Sequence, residues 1–416
     1  MSSQPSSLSR ELIEKGQRFF IPNYKPREVV LDHGKGARIW DLEGTEYIDL
    51  GTGISVNSLG HQDPELVEAL ITQARKLWHS SNIYFTEPTV RLAEELVEAA
   101  PFATRVFFCN SGAEANEAAI KLARKYASLH FPPEKREIIT FEGSFHGRTL
   151  ATVTATAQPK YQEGFEPLPP GFTYCPFNDF AAIEALISTR HTCAILVEPL
   201  QGEGGVLPAK PGFLKHLQDL CRQHDALLML DEIQTGMGRT GRLFAHQWEA
   251  EISPDVVTLA KALAGGIPIG ALLAGSRVAD TLQFGSHGST FGGNPLASAV
   301  ARVVLRRIRS PELMNNVHHQ GEILQDYLKE LNRSLGLFAE IRGRGLMIGA
   351  VLTGEWQGRA AELTEQCRHH GVLILQAGPN VLRFLPPLTI TAEELETGMA
   401  RVAAALHAAK DGKGPP

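Results

Sequence analysis

Ala226-Leu-Leu-Met-Leu-Asp231-Glu-Ile-Gln-Thr-Gly236 and, one loop later, Asp255-Val-Val-Thr-Leu-Ala-Lys261-Ala-Leu-Ala-Gly-Gly266 decide how this chain folds. Each segment carries a short apolar run that reads as a buried strand of a parallel sheet. The first run delivers the carboxylate of Asp231 at its C-terminal end, and the second delivers Lys261 just past its end. In open α/β sheets ligands sit outside the carboxyl ends of the strands, so both side chains face one crevice. Either charge alone is costly to desolvate there. A cofactor with a cationic ring nitrogen at one end and an aldehyde at the other satisfies both, and pyridoxal phosphate is such a molecule.

Bland readings compete. Asp231-Glu232 would also suit a helix start, and Lys261 would also suit a surface lysine. Gly236-Met-Gly238-Arg-Thr-Gly241 is a sharper decoy, because it fits G-x-G-x-x-G directly after a strand. A dinucleotide fold needs a helix opening at the third glycine and an acid ending the next strand. Arg242 to Ala250 is too short a stretch before Pro254, and Asp255 precedes its strand. The context therefore counts against the nicotinamide reading, which stays an alternative that a hydride-transfer assay would revive.

Composition sets wide bounds. The chain has 416 residues, enough for a large core and more than one domain. Hydrophobic residues at 43% and charged residues at 21% describe an ordinary globular protein. With 40 basic and 46 acidic residues the net charge is −6, so nothing points to nucleic acid. Cys109, Cys175, Cys193, Cys221 and Cys367 form no C-x-x-C pair and no metal-ligand spacing, as suits a reducing cytosol. No apolar run reaches the roughly 18 residues of a membrane helix. Ser-rich residues 1–10 lead straight to Glu11 and Glu14, unlike a targeting segment. The expected compartment is the cytoplasm.

Along the chain, Glu28 to Leu31, Ala37 to Asp41 and Glu46 to Leu50 read as a small meander. Asp63-Pro64-Glu65 starts a helix expected to reach Trp78, with His61 as a structural histidine in the approach turn. From Pro88 helices and buried strands alternate. Val90 to Ala100 is helical, and Arg105 to Cys109 is a strand. Asn110-Ser111-Gly112-Ala113 then opens a helix through Tyr126. Small residues at a helix N-terminus let free N–H groups face an anion, so Ser111 and Gly112 are the candidate phosphate cradle, although a plain serine cap reads the same way. Glu137 to Phe141 leads into Phe145-His146-Gly147-Arg148, where Phe145 can stack on a planar ring and Arg148 can fork onto a carboxylate. Pro159 to Pro170 is irregular. Cys193 to Val197 ends in Glu198, read as structural, and is followed by Glu203 in a glycine-rich loop. Phe213 to His224 is a helix and Ile269 to Ala274 a strand. A second small-residue loop contains Ser289 and Thr290. Helices over Leu296 to Ile308 and Glu312 to Leu331, strands over Val372 to Leu375 and Val381 to Phe384, and a helix from Ala392 complete the chain. A disordered tail is expected from Asp411 to Pro416.

Asp231-Glu232-Ile233-Gln234-Thr-Gly and Ala260-Lys261-Ala-Leu-Ala-Gly-Gly resemble the cofactor motifs of the class III (ω-amino) aminotransferases. The resemblance runs from about Pro22 to Ala408. It implies pyridoxal phosphate fold type I, an α/β architecture. A large, mainly parallel seven-stranded-type domain (76–312) joins a smaller α+β domain built from both termini (1–75 and 313–416). It also implies that Lys261 bonds the cofactor aldehyde and Asp231 pairs with the ring nitrogen. Gln234 reaches the phenolic oxygen, Phe145 stacks on the ring, and Ser111 with Gly112 holds the phosphate. Glu232 and Ile233 belong to the same motif. Thr290 reaches the phosphate of a neighbouring subunit, which implies a homodimer with shared sites.

Within the family, Gly143-Ser-Phe-His-Gly-Arg148, Gly202-Glu203-Gly-Gly, Ser286-His-Gly-Ser-Thr290 and Gly378-Pro-Asn-Val-Leu-Arg383-Phe resemble the branch acting on N-acylated ornithine in arginine biosynthesis. The resemblance implies that Arg148 holds the donor's α-carboxylate and that Ser289 of a partner subunit also touches the donor. Arg383 holds the carboxylate of 2-oxoglutarate, and Glu203 masks Arg383 in between. Gly53 stands where ornithine-specific relatives carry a tyrosine, leaving room for an acyl group. N2-acetylornithine is the favoured donor. Succinylornithine, succinyl-diaminopimelate and 4-aminobutyrate remain open, as do other chemistries on this scaffold and a non-catalytic binding role.

Overall fold

The computed structural model describes residues 7–412. At its centre lies a seven-stranded sheet. Its spatial order is Ala103–Cys109, Gly270–Gly275, Val256–Leu259, Leu227–Asp231, Thr192–Val197, Glu137–Phe141 and Phe172–Cys175. Gly270–Gly275 runs antiparallel to both neighbours, and the remaining pairings are parallel. Thr192–Val197, Leu227–Asp231 and Val256–Leu259 are buried at every residue, as strands covered on both faces must be. Their apolar runs show no alternation for that reason.

The parallel register sets Asp231 opposite Thr258, so Asp231 and Lys261 leave neighbouring strands at the same edge of the sheet. The helix Gly112–His130 returns across these strands with an alanine-rich face. The terminal parts share a sheet, because Val372–Leu373 pairs in parallel with Glu46–Asp49 beside the meander. A second small sheet contains Phe338–Arg344, Met347–Leu352, Leu375–Gln376 and Val381–Phe384, and brings Arg383 in beside Gly349.

Several boundaries differ from the sequence reading. The first strand of the meander is Leu31–Lys35, not Glu28 to Leu31. A helix over Ser7–Phe19 was not foreseen, although Leu8, Leu12, Ile13 and Phe19 recur at helical spacing along it; apart from Ser9 its side chains are not buried in the single chain. The helix capped by Asp63 stops at Ala74, where the amide of Gln73 turns back to the carbonyl of Leu77. Of the expected disordered tail, residues 413–416 lie outside the described residues, while Asp411 and Gly412 form a turn after the helix Ala392–Lys410. Among the described residues no helix is long and apolar enough to cross a membrane.

Candidate active site

Asp231 ends a fully buried strand and is itself 3% exposed, so its charge has to be satisfied by the protein around it. One carboxylate oxygen accepts from the backbone N–H of Ile233 at 3.0 Å. The other accepts from Asn116 Nδ2 at 2.7 Å and lies 2.8 Å from His146 Nδ1. Thr258 donates to Asn116 Oδ1 at 2.8 Å, which fixes the amide so that its NH2 faces Asp231. Sequence reasoning missed Asn116. Its signal was a lone amide on the buried, alanine-rich face of the helix Gly112–His130.

A cavity of about 420 Å³ opens at this edge. Ser111, Gly112, Phe145, Arg148, Asp231, Ile233, Gln234 and Lys261 line it together with His146 and Glu198. Lys261 sits directly after its strand at φ 42°, a left-handed conformation rare for a lysine, and begins a short 3₁₀ turn. Burial pushes the pKa of its amine below the ordinary lysine value; Glu203 opposes that shift and Arg383 adds to it. The Ser111 hydroxyl caps the helix by accepting from Glu114 N at 3.2 Å. Gly112 and Ala113, whose first-turn N–H groups have no partner within the helix, line the cavity.

Arg383 is 2% exposed and is joined by Glu203 Oε1 at 2.6 Å and Gln234 Oε1 at 3.1 Å. Its Nε is buried without a partner. Arg148 is exposed at the mouth, with its guanidinium 4.0 Å from the ring centre of Tyr161 and 5.6 Å from that of Phe145. The structure does not bring Glu232 to the cavity. Its carboxylate turns into the core, accepting from the backbone N–H groups of Ala245 and His246 and lying 2.7 Å from His246 Nδ1. Ser289 and Thr290 line a second hollow beside Asn110 and Glu114, and Ser289 Oγ accepts from Asn110 Nδ2 at 3.1 Å.

Glu198, read from sequence as structural, also lines the cavity. Its carboxylate receives the backbone N–H of Phe145 at 3.0 Å and that of Gly202 at 3.4 Å. Burial raises its pKa from 4.5 to about 7; His146 opposes the rise and Asp231 adds to it.

The Aminotransferase class-III family model matches residues 20–406. The chain belongs to the class-III aminotransferases. Among its relatives, the acetylornithine aminotransferase of Xanthomonas axonopodis pv. citri (strain 306) is 61% identical over 92% of this chain and 94% of its own. The succinylornithine transaminase of Yersinia pseudotuberculosis is 50% identical over 96% of this chain and 97% of its own. The crystal structure of the N-acetylornithine aminotransferase of Stenotrophomonas maltophilia K279a superposes with a TM-score of 0.85 at 51% identity, covering 96% of this chain and all (100%) of that one.

Class-III aminotransferases work with pyridoxal phosphate, and the cavity fits that group. It offers a satisfied but uncompensated anion in Asp231, an amine biased toward its neutral form in Lys261, and a helix start for the phosphate. His146 Nε2 is buried and unpartnered on the cavity side of the Asp231 network.

The Glu198 shift has a consequence for stability. Between about pH 4.5 and pH 7 the folded chain holds a proton at Glu198 that the unfolded chain has released. Its contribution is therefore fully present below the lower value and is lost as pH rises through the upper one. Comparing thermal midpoints across this range, the advantage of the wild type over Glu198→Gln is expected to shrink as pH rises. A difference that stays constant across the range would contradict this account.

Proposed function

We propose that this protein transfers the δ-amino group of N2-acetyl-L-ornithine to 2-oxoglutarate, giving N-acetylglutamate 5-semialdehyde and glutamate. One observation carries the reading: two arginines lie around one lysine, Arg383 paired with Glu203 and Arg148 open at the cavity mouth. An enzyme that takes an ω-amine in one half-reaction and an α-amino acid in the other needs two carboxylate receptors, and the second must be silenced while the first is in use. Glu203 is that silencer. A buried guanidinium left unpaired is expensive, so Glu203 stays until a substrate carboxylate replaces it.

Pyridoxal phosphate supplies an aldehyde that exchanges amines and a ring that accepts electrons from the reacting carbon. Asp231, fixed by Asn116 and His146, would present its negative charge to the ring nitrogen and favour its protonated form. Ser111 and the N–H groups at the helix start would hold the phosphate, Phe145 would cover a ring face, and Gln234 would meet the phenolic oxygen. Lys261 would be the residue that bonds the cofactor's aldehyde. Its amine, biased by burial toward the unprotonated form, would act as the general base that takes the proton from the donor carbon bearing the amine.

Arg148 receives the α-carboxylate of the donor. Gly53 is exposed and has no neighbour within 3.8 Å of where a side chain would begin, which leaves room for an acyl group. The identity to acetylornithine aminotransferases supports acetyl as that group, and the succinylornithine relatives keep succinyl as the competing outcome.

The working unit is proposed to be a homodimer in which Ser289 and Thr290 of one subunit complete the site of the other. In the single chain Phe19, Phe20, Ile21, Tyr84, Phe85 and Phe284 are all more than two-thirds exposed, an apolar area that a second copy would cover.

The first test is the visible absorption of the protein loaded with pyridoxal phosphate, titrated with acetylornithine, succinylornithine, ornithine and 4-aminobutyrate. Acetylornithine is expected to bleach the band at the lowest concentration, and Lys261→Ala is expected to lack both the band and turnover. Bleaching by another amine alone would replace the donor, and full turnover by Lys261→Ala would overturn the mechanism. Glu203→Ala is expected to move the ratio of kcat/KM for glutamate over acetylornithine upward by about ten-fold, the worth of one charged hydrogen bond; an unchanged ratio removes the switch. Sedimentation equilibrium is expected to give twice the chain mass of 45.4 kDa, and a monomer with full activity would refute the shared site.

A further inference from the structure

The glycine motif set aside in the sequence, Gly236 to Gly241, carries an arginine that the mechanism does not use. Arg239 is wholly buried, at 0% exposure, and none of its hydrogen bonds goes to a carboxylate. Its Nε donates to Ser55 Oγ at 2.8 Å. Its Nη1 donates to the carbonyls of Leu346 at 3.0 Å and Pro386 at 2.5 Å. One side chain thus ties the central loop to three distant parts of the chain. Burial pushes its pKa down to about 9, a sign of how much solvation it has given up.

What it ties at Ser55 is strained. Thr52, Gly53, Ile54 and Ser55 all have positive φ, at 47°, 60°, 64° and 66°. Three of these residues carry a Cβ, so a left-handed turn here persists only where its surroundings hold it. The front of the turn is held by Asp49 Oδ1, which accepts from Gly51 N at 2.9 Å and Thr52 N at 2.8 Å, and by Thr52 Oγ1 donating to the carbonyl of Leu385. The back is held by Arg239 through Ser55, whose hydroxyl also lies 3.5 Å from the carbonyl of Gln234.

The turn borders the reaction cavity. Val56, directly after it, lines the cavity, Gly53 and Ile54 stand exposed, and Asn57 packs against Gly266 just past Lys261. We propose that Arg239 is a positioning residue for the amine donor: by clamping Ser55 it fixes the strained turn that forms the acyl-side wall, and so sets selectivity for acylated over free ornithine. The proposal rests on the donor reading given above.

The test uses the cofactor-loaded full chain and compares Ser55→Ala with the wild type. Arg239→Lys is a second variant that keeps the charge but loses the fork. Ser58→Ala is the control, because that buried hydroxyl has no partner. The main readout is the ratio of kcat/KM for acetylornithine over ornithine, which the fraction of active protein cannot alter. It is expected to fall about ten-fold in Ser55→Ala, the loss of one hydrogen bond from a charged donor, with kcat/KM for 2-oxoglutarate and the Ser58→Ala values unchanged. Hydrogen exchange supplies a readout without turnover. The amides of Val56 and Asn57, which bond to the Thr52 carbonyl at 2.9 and 3.0 Å, are expected to lose protection while Leu228 to Leu230 keep theirs.

An unchanged ratio in Ser55→Ala overturns the proposal, and so does an equal loss with both donors and the acceptor, which marks a structural role alone. A wild type that does not prefer the acylated donor withdraws the donor reading instead. The exchange arm then decides whether Arg239 holds the turn, and undiminished protection at Val56 and Asn57 overturns it.

Discussion

Charge taken out of water has to be answered by the protein, and this fold gathers Asp231, Glu198, Arg383 and Glu203 around one lysine. The arrangement begins with register. Because Asp231 lies opposite Thr258, the hydroxyl of Thr258 can orient Asn116, and Asn116 can satisfy Asp231 from the helix above. A slip of one residue would turn every side chain of the strand to its other face and break that relay. The same register fixes where Lys261 emerges. The sheet therefore sets the spacing between the anion and the amine before any loop contributes, and the loops add Phe145, Glu198, Glu203 and Arg148 around a fixed pair.

That origin explains what was legible from sequence. The central strands are apolar throughout because both faces are covered, and such runs stand out without an alignment. Asp231 and Lys261 mark the ends of two of them. The Glu203–Arg383 contact depends on chain returning from a distant small sheet, and composition gives no sign of it; only family resemblance suggested the pair, which the geometry contains at 2.6 Å. Glu232 shows the limit in the other direction. Strand alternation puts it on the face away from Asp231, where it satisfies His246 and two backbone N–H groups, so neighbourhood in a motif did not mean neighbourhood in the cavity. The helix over Ser7–Phe19 carries a legible apolar face of Leu8, Leu12, Ile13 and Phe19 that the sequence reading passed over, and that face lies almost entirely outside the core of the single chain.

The decoy glycine motif teaches a related lesson. Gly238 and Gly241 have φ of 84° and 88°, and a Cβ at either would lie within 3 Å of a side chain from the C-terminal part, at Ile308 or at His318. The leucine carbonyl at position 346 receives Arg239, and the amide of the same residue returns to the Arg239 carbonyl at 3.1 Å. Here the glycines admit a neighbouring chain segment at close range rather than a pyrophosphate. The pattern encodes close approach in both cases, which is why the spacing alone could not distinguish them.

Gln234 is where these constraints converge. Its side-chain oxygen accepts from Arg383, its backbone carbonyl lies beside Ser55, and its amide fills the space where any side chain at position 202 would begin, 2.5 Å from a Cβ there. Only glycine at position 202 lets the loop bearing Glu203 pass over Gln234, and only that passage brings Glu203 onto Arg383. Gln234 thus touches both the Glu203–Arg383 pair and the strained turn at Ser55. On the proposed reading, a carboxylate arriving at Arg383 would displace Glu203 without moving Gln234, because the amide is packed from the other side by Gly202. The same site would then serve two differently shaped substrates while the groups facing the cofactor stay in place.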